Sequence, residues 1–386
     1  IDNEVKEVLH NNYELTPIVA STILKHSKTP TDRIVLQCVQ LLQRITYNCR
    51  ILYPNSMIDD LLTFLMTHIQ GTENQLTLPC LGLMANLCKN NVSIQAHIKS
   101  MDSIKSVYKA LIQYLSHRNL TMIVFALSVI TSLCLNEDLG NKLFQAKNVN
   151  QTFQLLFNIL IQGEDLTTIQ YVADLFVFLL KSPKIQQSML VFEDLSGGIQ
   201  EVLKLLTRNS EPESICKTFE LLLAFCKSSG IRCTVCHTLM SSPLVQNCES
   251  VPQHPMQLPG ITQPFYAVLH WTRQTHATHD KAPLLALDFL KEIYEEMLDS
   301  GLTSQLSPRI DLVLPTLSEK LHPPTESDDK TIKHQCVKSV KIIDIIQDIL
   351  LLLSDIQIIL CDLHQPMTIH IVYMSDQKAT SRTGYM

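Results

Sequence analysis

The chain has 386 residues, a hydrophobic fraction of 46% and a net charge of −6, with Lys, Arg, Asp and Glu interspersed. No basic stripe stands ready to neutralise phosphates, which argues against a nucleic-acid groove. With only 10 glycines, about a third of the usual ~7%, and no Walker-type, dinucleotide, nucleophile-elbow or HExxH pattern, the chain has no visible cradle for phosphates and no catalytic signature.

In chain order, residues 1–30 hold one apolar helix, Leu15 to Leu24, followed by the Lys28-Thr29-Pro30-Thr31 turn, and Arg33 to Cys49 completes a first unit. The stretch LPCLGLMANLCKNN at 78–91 then sets the pattern for the rest. Its apolar residues Leu83, Met84, Leu87 and Cys88 fall on one helical stripe. Gly82 and Ala85 between them allow a neighbouring helix to approach closely. The stripe returns at a step of about 46 residues, the length of a two- or three-helix repeat. Leu83 becomes Val129, Leu175 and Leu221; Met84 becomes Ile130, Phe176 and Leu222; Leu87 becomes Leu133, Leu179 and Phe225; Cys88 becomes Cys134, Leu180 and Cys226. A step back of about 42 lands on Leu41, Leu42 and Ile45.

A second helix keeps the same step independently, in the columns Leu65, Val107, Phe153, Ile199 and Ile69, Leu111, Phe157, Leu203. Each unit reads as a helix such as 103–117, a longer helix such as 121–137, and a short segment such as 138–147. Such a unit cannot bury its apolar face alone, so units stack, and the fold class is all-α: a right-handed α-solenoid with a concave side. A solenoid core grows linearly, so the length needs only one elongated unit. Pro54, Pro183 and Pro212 are expected in the connections, and Pro79 at the start of its helix.

Five of the 17 prolines lie between Pro243 and Pro264, where apolar periodicity is lost, so about 241–262 is expected to be an inserted surface loop. Helices return over 264–274, 283–298 and 308–321, break at a linker of about 322–330, and resume at Thr331. The window IIDIIQDILLLLSDIQIILC at 342–361 is apolar enough to raise a membrane span. Asp344, Asp348 and Asp355 would each cost about 2.5–3.5 kcal/mol at mid-bilayer, so a buried solenoid helix is the better reading. One repeat domain over 1–361 and a divergent, disordered tail over 362–386 follow.

Most of the 12 cysteines sit at apolar helix positions, among them Cys38, Cys80, Cys88, Cys134 and Cys226, as reduced thiols of a cytosolic or nuclear protein do. The chain starts at Ile1 inside a repeat and reads as a fragment. Cys233-Thr-Val-Cys236-His237 matches the haem-attachment pattern, and Cys233, Cys236, Cys248 and His254 could together hold zinc or do redox chemistry. The second pair is spaced too loosely for a finger, and ordinary thiols are the simpler reading, with no cofactor expected. His276 and His279 read as solvated loop residues, and Glu292, Glu295 and Glu296 as an exposed helix face.

The string ANLCKNN and the helix order resemble the armadillo repeat family. More specifically, LQCVQLLQRITYN (36–48), LPCLGLMANLC (78–88), VFALSVITSL (124–133), NQTFQLLFNILI (150–161) and ELLLAFC (220–226) resemble, in order, the N-terminal armadillo-like domain family of the cancerous inhibitor of protein phosphatase 2A. The resemblance covers roughly Ile1 to Ile346. It implies a non-enzymatic scaffold that binds regulatory subunits of protein phosphatase 2A and restrains dephosphorylation of substrates such as Myc. It also implies binding to a mitotic BRCT-domain adaptor, a cytoplasmic location with access to the nucleus and mitotic chromosomes, and no direct nucleic-acid contact. Intact members are homodimers with a long coiled coil; this chain stops before that region and is expected to be monomeric. The alternative is a generic armadillo-type adaptor for another folded partner.

In armadillo domains the long helix lines the concave side. Its outward columns here are Gln40, Gly82, Ser128, Asp174, Glu220; Arg44, Asn86, Ser132, Phe178, Ala224; and Tyr47, Lys89, Leu135, Lys181, Lys227. Related grooves keep Asn throughout the middle column to hold an extended peptide, and here only Asn86 remains. The expected partner is therefore folded or helical, contacting Arg44, Tyr47, Asn86, Lys89, Asp174, Phe178, Lys181, Glu220 and Lys227.

Overall fold

The computed structural model describes residues 3–28, 33–53, 55–135, 137–145, 147–163, 166–208, 211–242, 263–274, 281–321 and 332–364. Among them there are nineteen α-helices and no strand. The chain enters through α1 (Asn3–Asn11), α2 (Leu15–His26) and α3 (Arg33–Thr46). Four three-helix units follow: α4 (Ser56–Gln70), α5 (Thr77–Cys88) and α6 (Val92–Ser100); α7 (Ile104–Tyr114), α8 (Leu120–Cys134) and α9 (Asp138–Leu143); α10 (Val149–Gln162), α11 (Leu166–Leu179) and α12 (Pro183–Leu190); α13 (Leu195–Arg208), α14 (Pro212–Cys226) and α15 (Ser229–Ser241). The end is built from α16 (Pro264–Arg273), α17 (Lys281–Asp299), a 3-10 turn at Leu302–Ser304, α18 (Ile310–Leu321) and α19 (Ile332–His364).

Two rows result. The long helices α3, α5, α8, α11, α14, α17 and α19 each pack on the next as an inner row, and α2, α4, α7, α10, α13, α16 and α18 cover them from outside. Position in the rows explains composition. Helix α5 is covered on every side, and all its residues except Leu78 are buried, as a helix apolar all round must be. Helix α3, nearer the end, keeps a polar face with Arg33, Gln37, Gln40 and Arg44 exposed. Asparagine punctuates the units. Asn48 and Asn90 end α3 and α5 in the left-handed region at φ 56°, which Asn tolerates better than most residues. Asn55, Asn91 and Asn119 cap α4, α6 and α8 by accepting from the backbone N–H groups of Met57, Ile94 and Met122.

The outer row is interrupted once. Helices α7 and α10 barely touch, whereas their inner partners α8 and α11 stay packed. Opening outside while holding inside bends the stack inward at this step, toward the concave side.

Several expectations change. Pro183 and Pro212 are not in connections but are the first residues of α12 and α14, where the missing N–H would have no intrahelical partner. Glu296 does not belong to an exposed face: it is 2% exposed, because α17 is enclosed by α14, α15, α16 and α19. Arg232 on α15 supplies its countercharge at 2.6 Å and also meets Glu292 at 3.4 Å. The window at 342–361 lies within α19 and is not buried all round: Ile346, Ile349, Leu353 and Ile356 pack inward, while Ile343, Leu351, Ile358 and Ile359 are exposed, because α17 and α18 cover one side of this last inner helix. No helix among the described residues is long and apolar enough to cross a membrane. The expected loop (from 243), the linker and the tail (from 365) lie outside the described residues, as do His276 and His279.

Candidate protein-interaction surface

The inner row brings the three columns onto one concave face, but its side chains have different fates. Arg44, Lys181 and Lys227 are exposed, Phe178 is half-buried, and Asn86 and Ala224 are buried. Asn86 is fully engaged within the chain. Its amide nitrogen donates to the Gln43 carbonyl at 2.6 Å and to Thr46 Oγ1 at 3.2 Å, and its Oδ1 accepts from the Tyr171 hydroxyl at 2.7 Å. The one ladder asparagine therefore ties α3, α5 and α11 together.

Around it the concave face is clasped shut. The Tyr47 hydroxyl, at the end of α3, donates to Asp174 Oδ2 on α11 at 2.6 Å, and the two residues are 127 positions apart. The Tyr47 and Tyr171 rings lie 4.8 Å apart, and Phe125 of α8 meets Tyr171 edge-on at 4.7 Å. Small residues under this bridge make it possible. Ser128 and Ser132 leave room above α8, and a Cβ on Gly82 would fall 2.7 Å from both Phe125 and the Gln43 amide. With α7 and α10 parted outside, α3 and α11 meet across two intervening helices.

Asp174 is also the centre of a chain of alternating charge. Lys89 and Lys217 each donate to it at 2.9 Å; Lys217 also reaches Glu220 at 3.0 Å, and Glu220 meets Lys281 at 2.5 Å. Burial alone would push the Asp174 carboxyl up, but Lys89, Lys217 and the Tyr47 hydroxyl outweigh it and hold Asp174 below its ordinary range. Glu220 is lowered likewise, against its own burial, by Lys281 and Lys217. Burial raises the Tyr47 phenol, and the Asp174 charge raises it further. Asp174 and Glu220 are thus kept ionised and the Tyr47 phenol kept protonated, as the clasp needs at neutral pH. Beside the clasp a cleft stays open, lined by Lys89, Ser132, Leu175 and Phe178, and the exposed cations Lys181 and Lys227 lie at the ends of α11 and α14.

Of the nine predicted contact residues, Tyr47, Lys89, Asp174 and Glu220 are brought together by bonds to one another or to the same partners, and Asn86 joins them through Tyr171, whose ring lies against Tyr47. Tyr171, Lys217 and Lys281 complete the network and lie outside the columns. A signal for two of them was present: Tyr171 and Lys217 each stand one turn before a column acid, Asp174 and Glu220.

The cysteine pair sits elsewhere. Cys233 and Cys236 lie one turn apart on α15, with Cys236 buried against the Ile293 carbonyl at 3.7 Å. Burial pushes the Cys236 thiol up to about 12 and raises Cys233 as well, which disfavours the thiolate that metal binding requires. Cys248 and His254 lie outside the described residues. Purified protein is expected to hold no stoichiometric zinc by elemental analysis. One zinc per chain that disappears with Cys233→Ser would contradict this.

The family model described as CIP2A, N-terminal, matches residues 1–374, passing beyond Ile346. The chain is similar to a designed armadillo repeat protein, YIII(Dq)4CqI, at 13% identity and a TM-score of 0.41, over 72% of this chain and 99% of that one. It is also similar to a designed armadillo repeat protein solved in complex with the peptide (KR)4, at 12% identity and a TM-score of 0.41 over 71% and 98%. An engineered protein matches at 13% identity and a TM-score of 0.42 over 75% and 97%.

Proposed function

From the premise that the chain belongs to the CIP2A N-terminal family, we propose that it is a non-enzymatic scaffold that binds regulatory subunits of protein phosphatase 2A and restrains dephosphorylation of substrates such as Myc. The observation that carries this reading is the family match over residues 1–374, on a continuous solenoid whose polar inner residues bond to one another. A catalytic carboxylate or base needs an unengaged atom facing substrate. Asp174 and Glu220 are instead held by lysines on both sides.

Binding to a mitotic BRCT-domain adaptor, homodimerisation of the intact protein, and a cytoplasmic location with access to mitotic chromosomes belong to the same proposal. Within it the partner reads the open part of the concave face: Phe178 as an apolar anchor, with Arg44, Lys181 and Lys227 as surrounding cations. The clasp fixes the curvature of the face on which they stand.

The direct test of restraint is a dephosphorylation assay with phosphatase holoenzyme and a Myc phosphopeptide. Added chain is expected to slow turnover in proportion to the fraction of regulatory subunit bound. Unchanged turnover at saturation would contradict the proposal.

A further inference from the structure

The outer row carries a second feature, away from the concave face. Between α10 and the start of α13 runs an open groove with a cavity of about 470 Å³, whose floor includes Leu155 and Phe192. It continues past Gln154 and Asp194 to Gly198, which lies flush against Phe157: a Cβ there would fall 2.8 Å from that ring.

One wall is a ladder of amides. Asn150, Gln154 and Asn158 recur every four residues along α10, which sets them about 6 Å apart on the helix axis. An extended peptide repeats every two residues at about 6.6 Å, so three amides stay in register with three dipeptides within the slack of their side chains. The Gln154 amide donates to Asn158 Oδ1 at 3.1 Å, and Asn150 Oδ1 accepts from the Glu193 backbone N–H at 3.3 Å. Beyond these bonds Asn150 keeps an N–H pair, Gln154 a carbonyl and one N–H, and Asn158 an N–H pair. An extended backbone presents one N–H and one C=O per dipeptide on an edge, so each of the three amides meets a group it can bond.

Charge selects the side chains. Glu193 and Asp194 are exposed, Glu193 in the first cavity and Asp194 where the two meet, and no Lys or Arg among the described residues lines either. The third carboxylate, Glu201, is already held by Lys204 at 2.6 Å and Arg208 at 3.5 Å. We propose that this outer groove binds an extended peptide segment of a partner protein, with a Lys or Arg side chain against Glu193 and Asp194 and an apolar side chain over Leu155 and Phe192.

The test is fluorescence polarisation with fluorescein-labelled (Lys-Leu)4 and (Glu-Leu)4 as probes, which needs no phosphatase subunit and so stands or falls apart from the function proposed above. The chain is expected to bind (Lys-Leu)4 and not (Glu-Leu)4. Combined Gln154→Ala and Asn158→Ala, which remove two hydrogen-bonding side chains, should weaken binding about tenfold. Glu193→Lys should weaken it further, with less sensitivity to salt. A concave variant, Arg44→Glu with Lys227→Glu, should bind as the parent does. Of the five positions Gln154, Glu193, Arg44 and Lys227 are exposed and Asn158 is half-buried, so each variant should keep its melting curve. No binding of (Lys-Leu)4, equal binding of (Glu-Leu)4, indifference to both groove variants, or loss in the concave variant would overturn the proposal.

Discussion

Replacing Asp174 with Ala is expected to lower stability by about 3 kcal/mol, toward the lower end of what breaking a buried ion pair costs, and to broaden the unfolding transition. Its carboxylate is 12% exposed and accepts from Tyr47, Lys89 and Lys217. Removing it leaves two ammonium groups 29% and 17% exposed and a phenol without its acceptor. The partial exposure of Lys89 keeps the loss from being larger. The broadening has a separate cause. Units of a solenoid touch only their neighbours, so cooperativity passes step by step; the bridge from Tyr47 to Asp174 joins the first unit to the fourth. Without it the segment before α8 should unfold at lower denaturant than the rest, read by hydrogen exchange on α3 against α14. A single sharp transition with under 1 kcal/mol lost would contradict this account.

The same clasp fixes the direction of pH dependence. Asp174 and Glu220 both have folded values below their ordinary ones. Their contribution is therefore fully present above the unfolded carboxylate values, about pH 4, and is lost as pH falls through the lower folded values. Asp174→Ala should remove part of this acid sensitivity.

Arg232→Ala should be at least as damaging, by about 3–4 kcal/mol. The guanidinium bonds Glu296 at 2.6 Å, Glu292 at 3.4 Å and Asp299 at 3.5 Å. Glu296, at 3% side-chain exposure, then keeps only neutral partners, the Ser300 hydroxyl and the Cys233 thiol, and stands beside Glu292 without a countercharge. Combining Arg232→Ala with Glu296→Ala should recover much of the loss, since a buried charge without its partner is worse than neither. Additive losses in that double variant would show the pair to be independent.

The repeat was legible because stacking demands it: the stripe is buried at Leu83, Val129, Leu175 and Leu221, and only the copy one step back departs, where Leu41 is exposed while Leu42 and Ile45 stay buried. The concave columns were legible for the same reason, as the period fixes which residues share a face. What could not be read was curvature. Tyr47 and Asp174 are visible in the sequence, yet their contact depends on α7 and α10 parting, a tertiary property without a local pattern. Glu296 was misread because helical periodicity marks a polar face, and only tertiary structure shows that Arg232 covers it.

The most direct test is a calorimetric titration of the chain with a regulatory subunit of protein phosphatase 2A, repeated with combined Phe178→Ala and Lys181→Glu. Saturable binding that weakens at least tenfold in the variant, at an unchanged melting temperature, is the predicted result. No heat of binding for the parent chain, or identical affinity for the variant, would contradict it.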